Sequence, residues 1–341
     1  MAILDFATGF SSALVGNTAN YEGGVPDSAQ NGHYVLEGIE VINQGIRDKI
    51  CSLSWTARTE VWISYYHYQD QRDTTINQQE IPPFMIEGLN ADGDLRRYVY
   101  FDVNATNDNR VDLVVDGRVL IPSMNLVPAD GTRTRVDVHI KMDAVNGEAD
   151  VWFNQALVGT FRGDTSDVEL TDFDRCSMGF SGDWDFGDFS LKWSAAFAAD
   201  EESIGITMVQ HEITGNGSLQ QMSGGYTDIN TLNAFDDVTR LESNATNQTS
   251  TFTKGATPPI FGTGYDIISV GLCSRAAVGA ANSINNISLV IDDLTNTVES
   301  ADIAVDQLIQ PRKALFTTAP DGGAWTAAKL DATQVGVKSK A

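Results

Sequence analysis

Three short stretches of this chain gather side chains of the kinds that do chemistry. In "DWDFGDF" (183–189), Asp183 and Asp185 fall on one face of an extended segment, with Asp188 close by. Closely spaced carboxylates are how glycoside hydrolysis divides its acid and nucleophile roles. In "NADGDL" (90–95), Asn90, Asp92 and Asp94 offer oxygens at alternate positions, as a hard cation such as Ca2+ requires. In "VWISYYHYQ" (61–69), Trp62, Tyr66 and Tyr68 share one face of a strand, and Tyr65 and His67 share the other. Aromatic rings with polar tips stack on sugars, which makes the first three a candidate glycan-binding set.

Each stretch also has a plainer reading. Acids gather at turns and strand edges, and Asp-Gly is an ordinary hairpin turn. Calcium takes six to eight oxygens, and no distal bidentate acid completes the triplet. Aromatic strands also build cores and protein interfaces. The four histidines (His33, His67, His139, His211) form no H-E-x-x-H pair, and neither a G-x-S-x-G elbow nor a phosphate-binding glycine loop occurs. No constellation amounts to an active site. The expectation is a protein that is not an enzyme and needs no cofactor, with Ca2+ at the Asn90 triplet as the one ion suggested.

The elements that must carry these residues are strands. In "RVDVHIKMDAVNGEADVWF", Val136, Val138, Ile140 and Met142 alternate with Asp137, His139 and Lys141, the pattern of a half-buried strand. Asn146-Gly147 then reads as a tight hairpin turn, because both residues tolerate positive φ. Similar runs recur at 60–68, 96–103, 110–117, 188–193, 268–276 and 286–293. Hairpins without long helices predict an all-β chain. At 341 residues two domains are expected. The alternation loosens near "FAADEES" (197–203), placing a first β-sandwich at 1–198 and a smaller one at 199–341.

Charge narrows the partners. The chain carries 22 basic and 46 acidic residues, a net −24, split as −16 before residue 199 and −8 after it. Both halves repel phosphate backbones, which argues against nucleic acid and anionic membrane surfaces. No apolar run approaches the roughly 20 residues of a membrane span, and the N-terminus lacks the features of a signal peptide. Cys51, Cys176 and Cys273 are widely spaced without a C-x-x-C, so the expectation is buried or unbridged thiols made in a reducing cytoplasm.

Two segments carry a resemblance. "RTRVDVHIKMDAVNGEADVWFNQALVGTF" with "MGFSGDWDFGDFSLKW" looks like the laminin-G/concanavalin-A-like jelly roll of many tailed-phage structural proteins. Asn154-Gln155 stands where those have Asn-Gly, and Gly187-Asp188-Phe189 where two acids are usual. Certain glucanases carry an E-x-D-x-x-E strand on a lectin-like sandwich; here all three carboxylates are the shorter Asp. The ending, "YDIISVGLCSRA" with "VESADIAVDQLIQPRKALFTTAPDGGAWTAAKLDATQVGVKSK", is similar to a C-terminal β-domain of the same phage proteins. Trp325, Thr326, Gln334, Val335, Gly336, Val337 and Lys338 match its pattern, and Asp331 replaces the usual Asn.

The resemblance implies a multicopy virion component made in the host bacterial cytoplasm. It would be tail-associated as fibre, spike or tip, or alternatively a capsid-surface decoration. The expected partners are other virion proteins and further copies of the chain, with a host-surface glycan as the ligand that the aromatic set Trp62, Tyr66 and Tyr68 suggests. In the ending, Trp325 is expected to pack a short helix or turn onto the second sandwich, with Val335 and Val337 in a last strand that fixes the terminus.

Overall fold

The structure, a computed structural model, describes residues 1–8, 33–36, 39–43, 49–69, 84–104, 110–126, 133–179, 191–209, 211, 213–229, 240–257, 265–279, 284–307 and 310–341. They divide into two compact units between Met208 and Val209.

The first unit is a β-sandwich. Its larger sheet runs in the order β12 (Ala156–Gly163), β11 (Gly147–Phe153), β10 (Arg133–Lys141), β5 (Glu60–Gln69), β14 (Leu191–Ala199), β3 (Ile39–Asn43) and β2 (His33–Leu36). The strand β1 (Ile3–Thr8) lies beside β14 as well. The second sheet runs β4 (Lys49–Arg58), β13 (Phe173–Gly179), β6 (Phe84–Leu89), β7 (Leu95–Asn104), β8 (Arg110–Val115) and β9 (Arg118–Met124).

Alternation dictates what lies between the sheets. Val61, Ile63 and Tyr65 of β5 pair with Ile140, Val138 and Val136 of β10, and all six are buried. Ala196 and Ala198 of β14 extend the same inner face. Tyr65 stacks on Phe84 of the opposite sheet at 5.8 Å, and Phe84 packs on Phe101 at 5.1 Å. At the far side, a Cβ on Gly159 of β12 would meet Ile121 and Met124 of β9.

Turn chemistry differs from the sequence expectation at one hairpin. Between β10 and β11, Asp143 Oδ1 accepts the N–H groups of Val145 and Asn146, each at 2.7 Å. Neither Asn146 nor Gly147 has positive φ. Gly147 is needed for a different reason: a Cβ there would run into Thr165 Oγ1 and the carbonyls of Gly163 and Asp143. Positive φ appears instead at Asn154-Gln155 (49° and 66°), between β11 and β12, and at Asp116-Gly117 (47° and 70°), between β8 and β9.

The domain boundary also differs. The cut expected at Ala198 falls inside β14, because the loss of alternation marks a strand's end and not the end of packed chain. Beyond β14, residues 200–208 stay with the first unit.

In the second unit the main sheet runs β15 (Ile213–Gln220), β16 (Thr249–Lys254), β22 (Gln334–Lys340), β18 (Asn286–Asp292) and β19 (Thr297–Glu299), with β20 (Ile303–Ala304) also on β18. A two-stranded ribbon, β17 (Val270–Ala276) and β21 (Gln310–Phe316), packs apolar side chains on this sheet's core. Two short helices, α1 (Tyr226–Ile229) and α2 (Ala327–Asp331), complete the described elements.

The chain's last strand is central in its sheet, between β16 and β18. Val335 and Val337 pair with Ile291 and Leu289 and share their face. Trp325 is 3% exposed, packs among Ile287, Leu289, Ile291, Phe316 and Leu330, and donates Nε1–H to the Phe316 carbonyl at 2.9 Å. Thr326 caps α2 by accepting from the Lys329 N–H. Gly336 permits close strand approach, since a Cβ would strike the Ser250 carbonyl.

Candidate functional site

The inner face of the larger sheet is apolar, so its chemistry must lie on the outer face. Residues directly opposite across paired strands share a face, and successive outward residues are two apart along each strand. Register then places Arg162, Glu148, Lys141 and Glu60 in one row across β12, β11, β10 and β5. The next row is Thr160, Asp150, His139 and Trp62, and the third is Leu157, Trp152, Asp137 and Ser64. Arg135 and Tyr66 begin a fourth.

Half of this face is sealed. Arg135 lies on Asp137 through Nε (2.8 and 2.9 Å to the two carboxylate oxygens) and Nη2 (2.5 Å), and Ser64 Oγ donates to Asp137 at 2.5 Å. The segment after β14 then crosses above them. Arg135 donates to the carbonyls of Ser203 (2.8 Å) and Ile206, and Ser64 Oγ meets Ser203 Oγ at 2.9 Å. The guanidinium also sits over the rings of Tyr66 (5.6 Å) and Phe197 (5.9 Å). Asp137 and Ser64 are fully buried. The alternation on β10 therefore does not mark a half-buried strand: Arg135, Asp137 and His139 face away from the core and are buried nonetheless.

The other half is open. Trp62 stacks on His139 (ring centroids 4.2 Å apart, 15° between planes) and on Trp152 (5.2 Å, 28°). Both indoles are half-buried, and Leu157 beside Trp152 is 55% exposed. His139 is bonded through Nε2 to Glu60 (2.9 Å) and through Nδ1 to Asp150 (3.3 Å). Asp150 receives the Arg162 fork at 2.7 and 2.9 Å and the Thr160 hydroxyl at 2.6 Å. Burial pushes the Asp150 carboxyl up, but the bonds from Arg162, Thr160 and His139 outweigh it and hold the group below the usual range. Glu60, Thr160 and Arg162 are exposed around the indoles.

His139, Glu148 and Asp150 bring ligand atoms within 4.8 Å of one another, the one such group among the described residues. Arg162 already places positive charge on both acids, with Nε 3.4 Å from Glu148. Glu148 is thus engaged by Arg162 and Lys141, and Asp150 by Arg162 and His139, so the three side chains form one polar network.

The structure distributes the sequence-predicted residues as follows. Trp62 is at the centre of the open half. Tyr66 is on the same face but buried under Arg135, which occupies its ring. Tyr68 continues β5 opposite Arg133, and its side chain lies outside the described residues. Asn90, Asp92 and Asp94 form the turn between β6 and β7: Asn90 Oδ1 accepts the N–H groups of Asp92 (3.1 Å) and Asp94 (2.8 Å), and Gly93 takes positive φ. That oxygen caps the turn. Asp183, Asp185 and Asp188 lie outside the described residues. Sequence reasoning missed Trp152, His139, Asp150 and Arg162 as a group, although the outward set on β10 was visible in the alternation.

No protein-family model and no curated protein matches this chain. Solved structures do match in fold. An endo-β-1,4-glucuronan lyase from the fungus Trichoderma reesei is 14% identical over 54% of this chain and 93% of its own, with a TM-score of 0.33. An alginate lyase is 13% identical over 58% and 97%, also at 0.33. Lectin I from Ulex europaeus is 10% identical over 50% and 89%, at 0.30. These identities and scores carry no activity to this chain. They do correct one expectation: with polysaccharide lyases among the matching structures, the lack of a catalytic sequence motif does not make this chain a non-enzyme. The chain is all-β, and its first unit is a β-sandwich of two antiparallel sheets.

Proposed function

We propose that the chain engages carbohydrate on the open half of the larger sheet's outer face. Trp62 and Trp152 are the stacking platform, and Glu60, Thr160 and Arg162 are the hydrogen-bonding rim. The observation that carries this reading is the pair of half-buried indoles, stacked at 5.2 Å and set on β5 and β11, the strands that flank β10, rather than on loops. A pyranose presents an apolar C–H face and a rim of hydroxyls, which calls for a flat aromatic surface bordered by polar groups. Rings held by each other and by His139 lose little rotamer freedom on binding, so more of the contact energy appears as affinity. A glycan array probed with the intact protein tests this. Capture of at least one glycan class, lost in Trp152→Ala, is the expected result. No capture, or capture indifferent to that substitution, would overturn the reading.

The ending at Trp325, Thr326 and Gln334 to Lys338 favours a wider setting, in which the sandwich is a multicopy part of a tailed-phage virion. A tail fibre, spike or tip would use the glycan face for host attachment; a capsid decoration is the alternative placement. Antibody labelling of purified particles separates them, and particles without label would remove both.

A further inference from the structure

Resting on the glycan reading above, we infer that the open face takes neutral sugars and rejects uronic acids. The argument is the state of its cations. The outer face carries Arg135, Lys141 and Arg162 on the rows defined by register, against Glu60, Asp137, Glu148 and Asp150. Arg135 is buried on Asp137 beneath the 200–208 segment. Arg162 forks onto Asp150 and also approaches Glu148, while Lys141 is 3.5 Å from Glu148. His139 is held between Glu60 and Asp150.

A uronate carboxylate on this platform would need one of these donors. Arg162 is exposed and can hydrogen-bond a ligand, but its charge is already matched by Asp150 and Glu148. Displacing Asp150, whose side chain is only 6% exposed, to free that charge would strand a buried carboxylate, which is strongly unfavourable. With no unmatched cation among the described residues of this face, the incoming carboxylate would sit beside Glu60, Glu148 and Asp150, and the net charge of −24 repels a polyanion before it arrives. A neutral sugar meets no such penalty. Its hydroxyls donate to Glu60 and to the remaining carboxylate lone pairs, and its C–H face covers the indoles.

The test is titration calorimetry of the intact protein at low salt. The probes are neutral glucan, mannan, galactan and xylan oligosaccharides, against oligomannuronate and oligoglucuronate of equal length. At least one neutral oligomer should bind about tenfold or more tightly than either uronate, the scale of 1.4 kcal/mol. Glu148→Gln, which releases Arg162 Nε and Lys141 from a carboxylate, should raise uronate affinity by about threefold or more, as expected of a charge change at a binding rim. Uronates that bind as tightly as neutral oligomers, with binding lost in Trp152→Ala, would overturn the inference while leaving the platform intact. No binding of either class would overturn both the inference and the glycan reading. Uronate affinity unmoved by Glu148→Gln would also count against the inference.

Discussion

The two halves of the outer face are built from similar parts and end up in opposite conditions. Each has an arginine forked onto an aspartate, hydroxyls on the same carboxylate, and aromatic rings alongside. Around Arg135 and Asp137, the carbonyls of Ser203 and Ile206 close over the pair and water is excluded. Around Arg162 and Asp150, no described segment crosses above, and Arg162 remains 55% exposed. The sealed half therefore acts as architecture, since its polar groups are satisfied internally. The open half keeps exposed donors, acceptors and apolar ring area available for a ligand. What separates the two is the chain laid over one of them, more than the residue types.

Substitutions can break this contrast. Arg135→Met leaves Asp137 charged and unpaired in a fully buried place, and should cost about 3–5 kcal/mol of stability. Chemical denaturation reads the loss, and replacing Asp137 with Leu in the same variant should recover much of it. Trp152→Ala should do the reverse, removing about 2 kcal/mol of glycan affinity, as for an aromatic anchor in an interface. The unfolding midpoint should move far less than with Arg135→Met, because the indole is half-buried.

Acid sharpens the comparison further. The Asp150 carboxyl is held below its usual range in the folded state, so its contribution is fully present above the unfolded carboxylate value near pH 3.9. It is lost as the pH falls through the depressed folded value. Asp150→Asn should flatten the acid limb of the stability curve and lower the stability at neutral pH. An unchanged acid limb would show that the Arg162 fork does not stabilise the fold. The smallest effect is expected from Glu60→Gln, which keeps an acceptor for His139 and for a sugar hydroxyl.

Much of the fold was legible because period-2 alternation follows directly from the pleat. Val136, Val138 and Ile140 face the core as their spacing demands, and the runs at 60–68 and 286–293 are the strands β5 and β18. Alternation states which residues share a face, but not what covers that face. Asp137, His139 and Lys141 thus read as solvent-facing, whereas the first two are buried, Asp137 beneath a segment more than sixty residues downstream. The candidate site was legible only at Trp62. Its companions come from β10, β11 and β12, and their meeting depends on strand order and on the register shift between Val151 and Trp152 that brings Leu157 opposite the indole. Local spacing contains neither. The terminus was easier, because Trp325, Val335 and Val337 act through burial in one unit.

The central claim is that Trp62 and Trp152 form one carbohydrate platform. Its most direct measurement is the affinity of the double variant Trp62→Ala/Trp152→Ala for the tightest-binding oligosaccharide, with a thermal melt to confirm folding. The platform predicts a loss of about thirtyfold or more, the equivalent of about 2 kcal/mol. An affinity equal to that of the parent protein, in a variant that still melts cooperatively, would contradict it.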